Sequence, residues 1–157
     1  MKYLFFSFMN IRIANINDLR LVRKIEKASF NKFAYSTNEL KNMLSQKNSM
    51  TLIYENQIPL GYISFIKVDD IFGEIESIAI IPSAKRTGIG TILLKEYEKI
   101  MMKEGVKRSV LEVRIHNRKA IKFYEKHNYK IIDNLKNFYS MSYRGSRDAY
   151  LMEKFLF

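Results

Sequence analysis

The 157-residue chain contains no cysteine. That excludes a disulfide scaffold, Cys-ligated zinc, an iron–sulfur cluster and a thiol nucleophile. Histidine occurs only at His116 and His127, too few for the usual His-rich catalytic metal sites, so no bound metal is expected. Glycine and proline are scarce, at six and two positions, while 47% of residues are apolar and 27% charged. Such a composition excludes a disordered or fibrous chain and is enough to fill a core. No stretch approaches the roughly eighteen apolar residues that a membrane span requires. The apolar opening, residues 1–8 (MKYLFFSF), is short for a signal peptide and lacks a small-residue cleavage site before Asn10-Ile11-Arg12. The expectation is one soluble, cytoplasmic domain over residues 1–157 with no membrane partner. Residues 1–8 are either an N-terminal extension or the product of an upstream start before Met9.

Positive charge is in excess. Lys and Arg number 27 against 16 Asp and Glu, for a formal charge of +11 and a pI near 9.7. A surplus of that size points to an anionic partner: nucleic acid, a membrane surface or a phosphate-bearing small molecule.

The apolar pattern gives an alternating series of elements. Ile11–Ala14 reads as a strand, and Asn17-Asp18 opens a helix carrying Leu19, Val22, Ile25 and Phe30. A second helix starts at Ser36 or Thr37, with Glu39 at capping-box distance from Ser36. Strands over Met50–Tyr54 and Leu60–Val68 are joined by a Glu-Asn-Gln turn, with Pro59 where the second begins. A long strand, Phe72–Ile81, ends at Pro82, and a helix over Thr91–Glu104 closes at Gly105. A strand over Arg108–Ile115, a helix over Asn117–Lys126 and strands over Tyr129–Asp133 and Ala149–Phe155 complete the chain. The order is β-α-α-β-β-β-α-β-α-β-β, an α+β domain with a mixed sheet and one right-handed crossover.

Two stretches carry chemistry. The first is Ile78-Ala79-Ile80-Ile81-Pro82-Ser83-Ala84-Lys85-Arg86-Thr87-Gly88-Ile89-Gly90, a strand, a basic turn and two glycines opening a helix. Glycines let backbone N–H groups approach an anion, and the helix N-terminus adds partial positive charge. Lys85 and Arg86 add full charges, so the loop suits a pyrophosphate. It is neither of two familiar phosphate loops. Leu93 stands where the dinucleotide fingerprint needs its third glycine, and Thr91-Ile92 follows Gly90 where a P-loop needs Lys-Ser/Thr.

This loop resembles that of the GNAT acyltransferase superfamily, whose Gln/Arg-X-X-Gly-X-Gly/Ala sequence holds the pyrophosphate of acetyl-CoA. Lys85 stands at the leading position, keeping the charge without the planar donor geometry. The resemblance assigns the cosubstrate acetyl-CoA to Lys85, Arg86, Thr87, Gly88, Ile89, Gly90 and Thr91. It assigns the pantetheine arm to the backbone of Ile78, Ala79 and Ile80. It also implies a mostly antiparallel seven-stranded sheet, flanked by about four helices, with a splayed central parallel strand pair.

The second stretch, Leu111-Glu112-Val113-Arg114 through Asn117, Ala120 and Tyr124-Glu125 to Tyr129, is similar to the matching block of the ribosomal-protein and archaeal N-terminal acetyltransferase branch. The resemblance implies that Glu112 is the general base, that Tyr124 is the general acid and that Asn117 touches the cofactor. The chemistry agrees, because amide formation from a thioester needs a deprotonated amine and a proton for the departing thiolate. Glu74 and Glu76 share a face of their strand under two-residue alternation. Several GNAT branches place a base near Glu74, which makes it a second candidate or a relay to Glu112.

On the acceptor side, Phe30-Asn31-Lys32-Phe33-Ala34-Tyr35-Ser36 resembles that branch's Phe-Pro-X-X-Trp/Tyr-Ser turn, and Asn137-Phe138-Tyr139 its Asn-Tyr-Tyr loop. Phe30, Tyr35 and Tyr139 are thereby implied to bind substrate. The implied partners are protein or peptide N-termini, ribosomal proteins among them, with direct attack in a ternary complex because no cysteine can carry an acyl group. Two alternatives stay open at this level. One is a polyamine or other small-amine acetyltransferase. The other is a nucleic-acid-binding module on the basic surface, for which no recognisable RNA- or DNA-binding motif appears and no stable nucleic-acid partner is expected.

Overall fold

The structure, a computed structural model, describes residues 10–157. The reading of residues 1–8 as an extension lies outside the described residues. The strands are β1 (Ile11–Ile13), β2 (Ser49–Asn56), β3 (Ile58–Lys67), β4 (Phe72–Ile80), β5 (Arg108–Arg114), β6 (Lys130–Leu135) and β7 (Ala149–Phe155). They form one seven-stranded sheet in the order β1-β2-β3-β4-β5-β7-β6. Every pairing is antiparallel except that of β4 with β5. Four helices flank it: α1 (Leu19–Phe30), α2 (Thr37–Ser45), α3 (Ile89–Lys103) and α4 (Arg118–Lys126). The mixed α+β architecture and the element order agree with the sequence reading. Among the described residues no helix is long and apolar enough to cross a membrane.

Both faces of the sheet are covered, and side-chain alternation sorts the residues between them. Leu52 and Ile63 join the larger cluster with Leu93, Leu94 and Tyr97 of α3, while their neighbours Ile53 and Tyr62 join Val22, Ile25 and Leu40 of α1 and α2. Each fully buried aliphatic side chain contributes about 1.5–3 kcal/mol relative to exposure. Two tyrosine hydroxyls in the larger cluster are paired, with Tyr97 and Tyr129 both bonded to Ser109 Oγ at 2.7 and 2.8 Å.

Helix starts follow local chemistry. Ser36 and Glu39 close the expected capping box on α2. Asn15 and Asp18 form a second one over a 3-10 turn that precedes α1. The Asn17-Asp18 signal therefore marks that turn, with α1 beginning at Leu19. The β2–β3 turn is tighter than its Glu-Asn-Gln reading: Asn56 pairs with Ile58, and Gln57 alone turns the chain at φ +65°. Pro59 sits inside β3 opposite Glu55, where the register shifts.

Candidate active site

The parallel pair at the centre of the sheet is short. β4 and β5 pair only through Phe72–Arg108, Gly73–Ser109 and Glu74–Val110. Beyond Glu74 the strands part, leaving the β5-facing edge of β4 without a neighbour. A bulge lies at the same point, since Ser64 pairs with Ser77 and Phe65 with Ile75, leaving Glu76 unopposed. After the bulge, the pairing of Tyr62 with Ala79 and the bond from Ile81 N–H to Leu60 C=O turn the peptide groups of 79 and 81 toward β3. Alternation then aims those of Ile78 and Ile80 into the gap. Ser29 Oγ donates to the Ile80 carbonyl at 3.0 Å. The open edge therefore consists of the Ile78 peptide groups and the Ile80 N–H. Ala79, read as part of the pantetheine edge, sits between them with its own peptide groups paired to β3.

The basic turn stands at the far end of this gap. Lys85, Arg86, Thr87 and Gly88 are exposed, and Arg86 and Gly88 take left-handed conformations at φ +62° and +85°. Gly88 is the N-cap of α3, with no atom within 4 Å of where a Cβ would stand. Ile89, 5% exposed, is driven into the core and anchors the loop. The N–H groups of the first turn of α3 have no intrahelical partner. Gly90 packs on the Phe123 ring. The Thr91 hydroxyl is bonded to His127 Nε2 at 3.1 Å, which leaves only its backbone for a ligand. Asn117 caps α4, accepting from Ala120 N–H at 3.2 Å. An exposed helix N-terminus flanked by two cations, with an unpaired strand edge leading away from it, fits a pyrophosphate with an amide-bearing arm.

On the α1/α2 side the gap opens into a cleft of about 270 Å³. Glu39, Glu74, Glu76 and Glu112 line it. None of the four is ion-paired to Lys or Arg among the described residues, although the chain carries 27 such cations. Glu76 accepts from Gln46 Nε2 at 2.9 Å and Ser64 Oγ at 3.3 Å, and burial raises its pKa. Glu112 is pushed up to about 7, first by burial and then by the neighbouring Glu74 charge. Glu74 and Glu112 thus form a carboxylate pair in the cleft wall. Among the described residues no group of three His, Asp or Glu side chains is placed to hold a metal ion.

Tyr124 does not line this cleft. It is 5% exposed, set in the α3-side core against Phe123 and Tyr129, with no hydrogen-bond partner for its hydroxyl among the described residues. Burial, with smaller contributions from Tyr139, Tyr97 and Tyr35, raises its pKa well above the ordinary tyrosine value. It therefore keeps its proton at neutral pH. Glu112 and Tyr124 lie on opposite faces of the sheet, beside the gap between β4 and β5.

The acceptor-side residues divide. Tyr35 and Tyr139 line the cleft. Tyr35 donates from its hydroxyl to the Glu76 carbonyl at the bulge, 3.2 Å away. Phe30, expected to join them, packs instead on the smaller core cluster with Val22 and Ile25. Asn31, at φ +51°, ends α1 immediately after it and turns the following residues away. Phe138 occupies the cleft wall in its place.

Glu26 belongs to no motif of the sequence, yet it supports the site. This carboxylate is 1% exposed, accepts from Tyr35 N–H at 3.0 Å and from the Tyr62 hydroxyl, and so fixes the acceptor loop from beneath. Its signal was present: Glu26 falls on the apolar Val22–Ile25–Ser29 face of α1, where an acid requires partners.

A model described as the acetyltransferase (GNAT) family matches residues 18–129. The chain is 39% identical over 83 residues to an N-alpha-acetyltransferase of Saccharolobus solfataricus, covering 52% of this chain and 47% of that protein. It thus spans about half the length of that relative. With N-alpha-acetyltransferase 50 of Danio rerio it shares 30% identity over 128 residues, 78% of this chain and 74% of the other. The ribosomal-protein-S18-alanine N-acetyltransferase from Escherichia coli superposes with a TM-score of 0.83 at 24% identity, covering 93% of this chain and 92% of that one.

Proposed function

The chain belongs to the acetyltransferase (GNAT) family, and from that premise we propose that it acetylates the α-amino group of protein or peptide N-termini, ribosomal proteins among them. The observation that carries this reading is the gap between β4 and β5. It joins the phosphate-type loop at one end to the Glu74–Glu112 cleft at the other. Acetyl-CoA, the cosubstrate, supplies an acyl carbon bound to a sulfur that departs as thiolate. The exposed N–H groups of the α3 N-terminus, with Lys85 and Arg86, hold its pyrophosphate. The Ile78 and Ile80 backbone holds its arm.

Glu112 takes the proton of the acceptor ammonium, and the freed amine attacks the acyl carbon directly in a ternary complex. Tyr124 gives its hydroxyl proton to the sulfur as the C–S bond breaks, and the second proton shed by the acylated nitrogen restores the tyrosine hydroxyl. Tyr35 and Tyr139 flank the acceptor. The acid–base match favours an α-amine. A base near 7 faces an α-ammonium at about 7.7–8.0, whereas a Lys- or polyamine-type ammonium near 10.4 opposes the transfer by about 3 units.

A second reading, a polyamine acceptor, is favoured by the four cleft carboxylates without Lys or Arg partners. Peptides differing at their first two residues, run beside spermidine, decide between the two. Turnover of at least one peptide at a higher kcat/KM than spermidine is expected, and the reverse order overturns the leading reading. Tyr124→Phe is expected to lower kcat by about tenfold or more with the KM for acetyl-CoA unchanged, as steady-state kinetics would show. An unchanged kcat removes Tyr124 as the acid.

A further inference from the structure

We propose that Arg114 is a positioning residue that locks together the two loops flanking the acceptor cleft. The inference rests on the reading of that cleft as the acceptor site. Along β5 the side chains alternate, with Leu111 and Val113 in the α3-side core, so Glu112 and Arg114 share the opposite face. Arg114 thus stands one step beyond the proposed base, at the end of a strand held along its whole length by β7.

Its guanidinium lies between two loops that have no regular pairing with each other. The carbon of the guanidinium is 3.9 Å from the Tyr139 ring centroid and 5.0 Å from that of Phe33. Nη1 donates to the Met141 carbonyl at 2.8 Å. Phe33 completes the link with an edge-to-face contact to Tyr143, centroids 5.3 Å apart at 87°. Residues 31–36 are thereby joined to residues 137–147 through the Arg114 guanidinium, with the Phe33–Tyr143 contact beside it. Both segments turn through left-handed positions, Asn31 in the first and Asn137 and Arg144 in the second, so neither is held by a regular ladder.

No carboxylate lies within ion-pair distance of Arg114 among the described residues, so its charge is not spent on an acid. A planar, delocalised cation stacked between two rings is an arrangement that lysine does not reproduce. The loops it joins carry Tyr35, Phe138 and Tyr139, the aromatic residues of the cleft wall. Holding those loops fixes the width of the slot before an acceptor arrives, which lowers the ordering cost of binding.

The test compares the full chain with Arg114→Ala and Arg114→Lys by amide hydrogen exchange, with no substrate present, and by steady-state kinetics. Exchange in residues 31–36 and 137–147 is expected to accelerate together in both variants, by roughly tenfold, with β2 and β3 unaffected. For a peptide that the wild type acetylates, KM is expected to rise about tenfold while the KM for acetyl-CoA stays fixed. Unchanged exchange in the Phe33 segment overturns the clamp, as does full recovery in Arg114→Lys, which would make charge alone sufficient. If the wild type acetylates no peptide, the functional reading fails while the exchange result still decides the clamp.

Discussion

Glu112→Gln is expected to lower kcat/KM for acetyl transfer by about 10²–10⁴-fold while leaving acetyl-CoA affinity intact, the usual range for loss of a general base. The wild-type pH profile supplies the second half of the prediction. Glu112 is held near 7 by burial and by Glu74, so activity should climb as pH rises through about 7 and the carboxyl loses its proton. In Glu112→Gln that limb disappears, leaving only the acceptor amine's own titration at about 7.7–8.0.

Stability moves the opposite way. A carboxyl whose folded pKa exceeds its unfolded value of about 4.3 binds its proton more tightly in the folded state. Stability is therefore lost as pH rises from about 4.3 through about 7, and the loss is complete above. Glutamine escapes that penalty. Glu112→Gln should melt at a higher temperature than the wild type at pH 8, with the difference closing toward pH 4. Glu74→Gln removes the neighbouring charge but leaves the burial, so the activity limb should shift to lower pH with most of kcat retained. If Glu74→Gln instead loses more activity than Glu112→Gln, the base and its neighbour exchange roles.

The element order was readable because its signals are local. Ser36 with Glu39, Pro82 after a strand and Gly105 after a helix each act within one turn of chain. The phosphate-type loop was readable for the same reason, since Lys85 through Gly90 are contiguous. What sequence could not supply depends on contacts between distant segments. The bulge at Glu76 is defined only against Ser64 and Phe65 of β3, and it decides that Ile78 and Ile80, and not Ala79, face the gap. Phe30 packs inward because it continues the Val22–Ile25 face of α1, which is buried on the smaller core cluster. Glu112 and Tyr124 both stand in a contiguous motif, yet their position on opposite faces of the sheet emerges only from the strand register and helix packing.

The proposed donor site makes a prediction with an internal control. Gly88 and Gly105 bracket α3, at φ +85° and +81°, and neither has an atom within 4 Å of a would-be Cβ. Alanine at either position meets no clash, so the cost is the left-handed backbone alone, about 1–2 kcal/mol. Gly88→Ala and Gly105→Ala should therefore lower the melting temperature by similar amounts. Their effects on catalysis should differ. At Gly105 the methyl group points into solvent beyond the helix C-terminus. At Gly88 it occupies open space at the helix N-terminus, where the proposed pyrophosphate must come within hydrogen-bond distance of backbone N–H groups. Loss of one such charge-assisted bond is worth about 1.5–3 kcal/mol, so the KM for acetyl-CoA should rise by roughly tenfold to a hundredfold in Gly88→Ala alone. Peptide KM should stay constant in both variants, because the acceptor cleft lies at the other end of the gap. Equal donor KM values for the two variants would remove the α3 N-terminus from the donor site, whatever their common loss of stability.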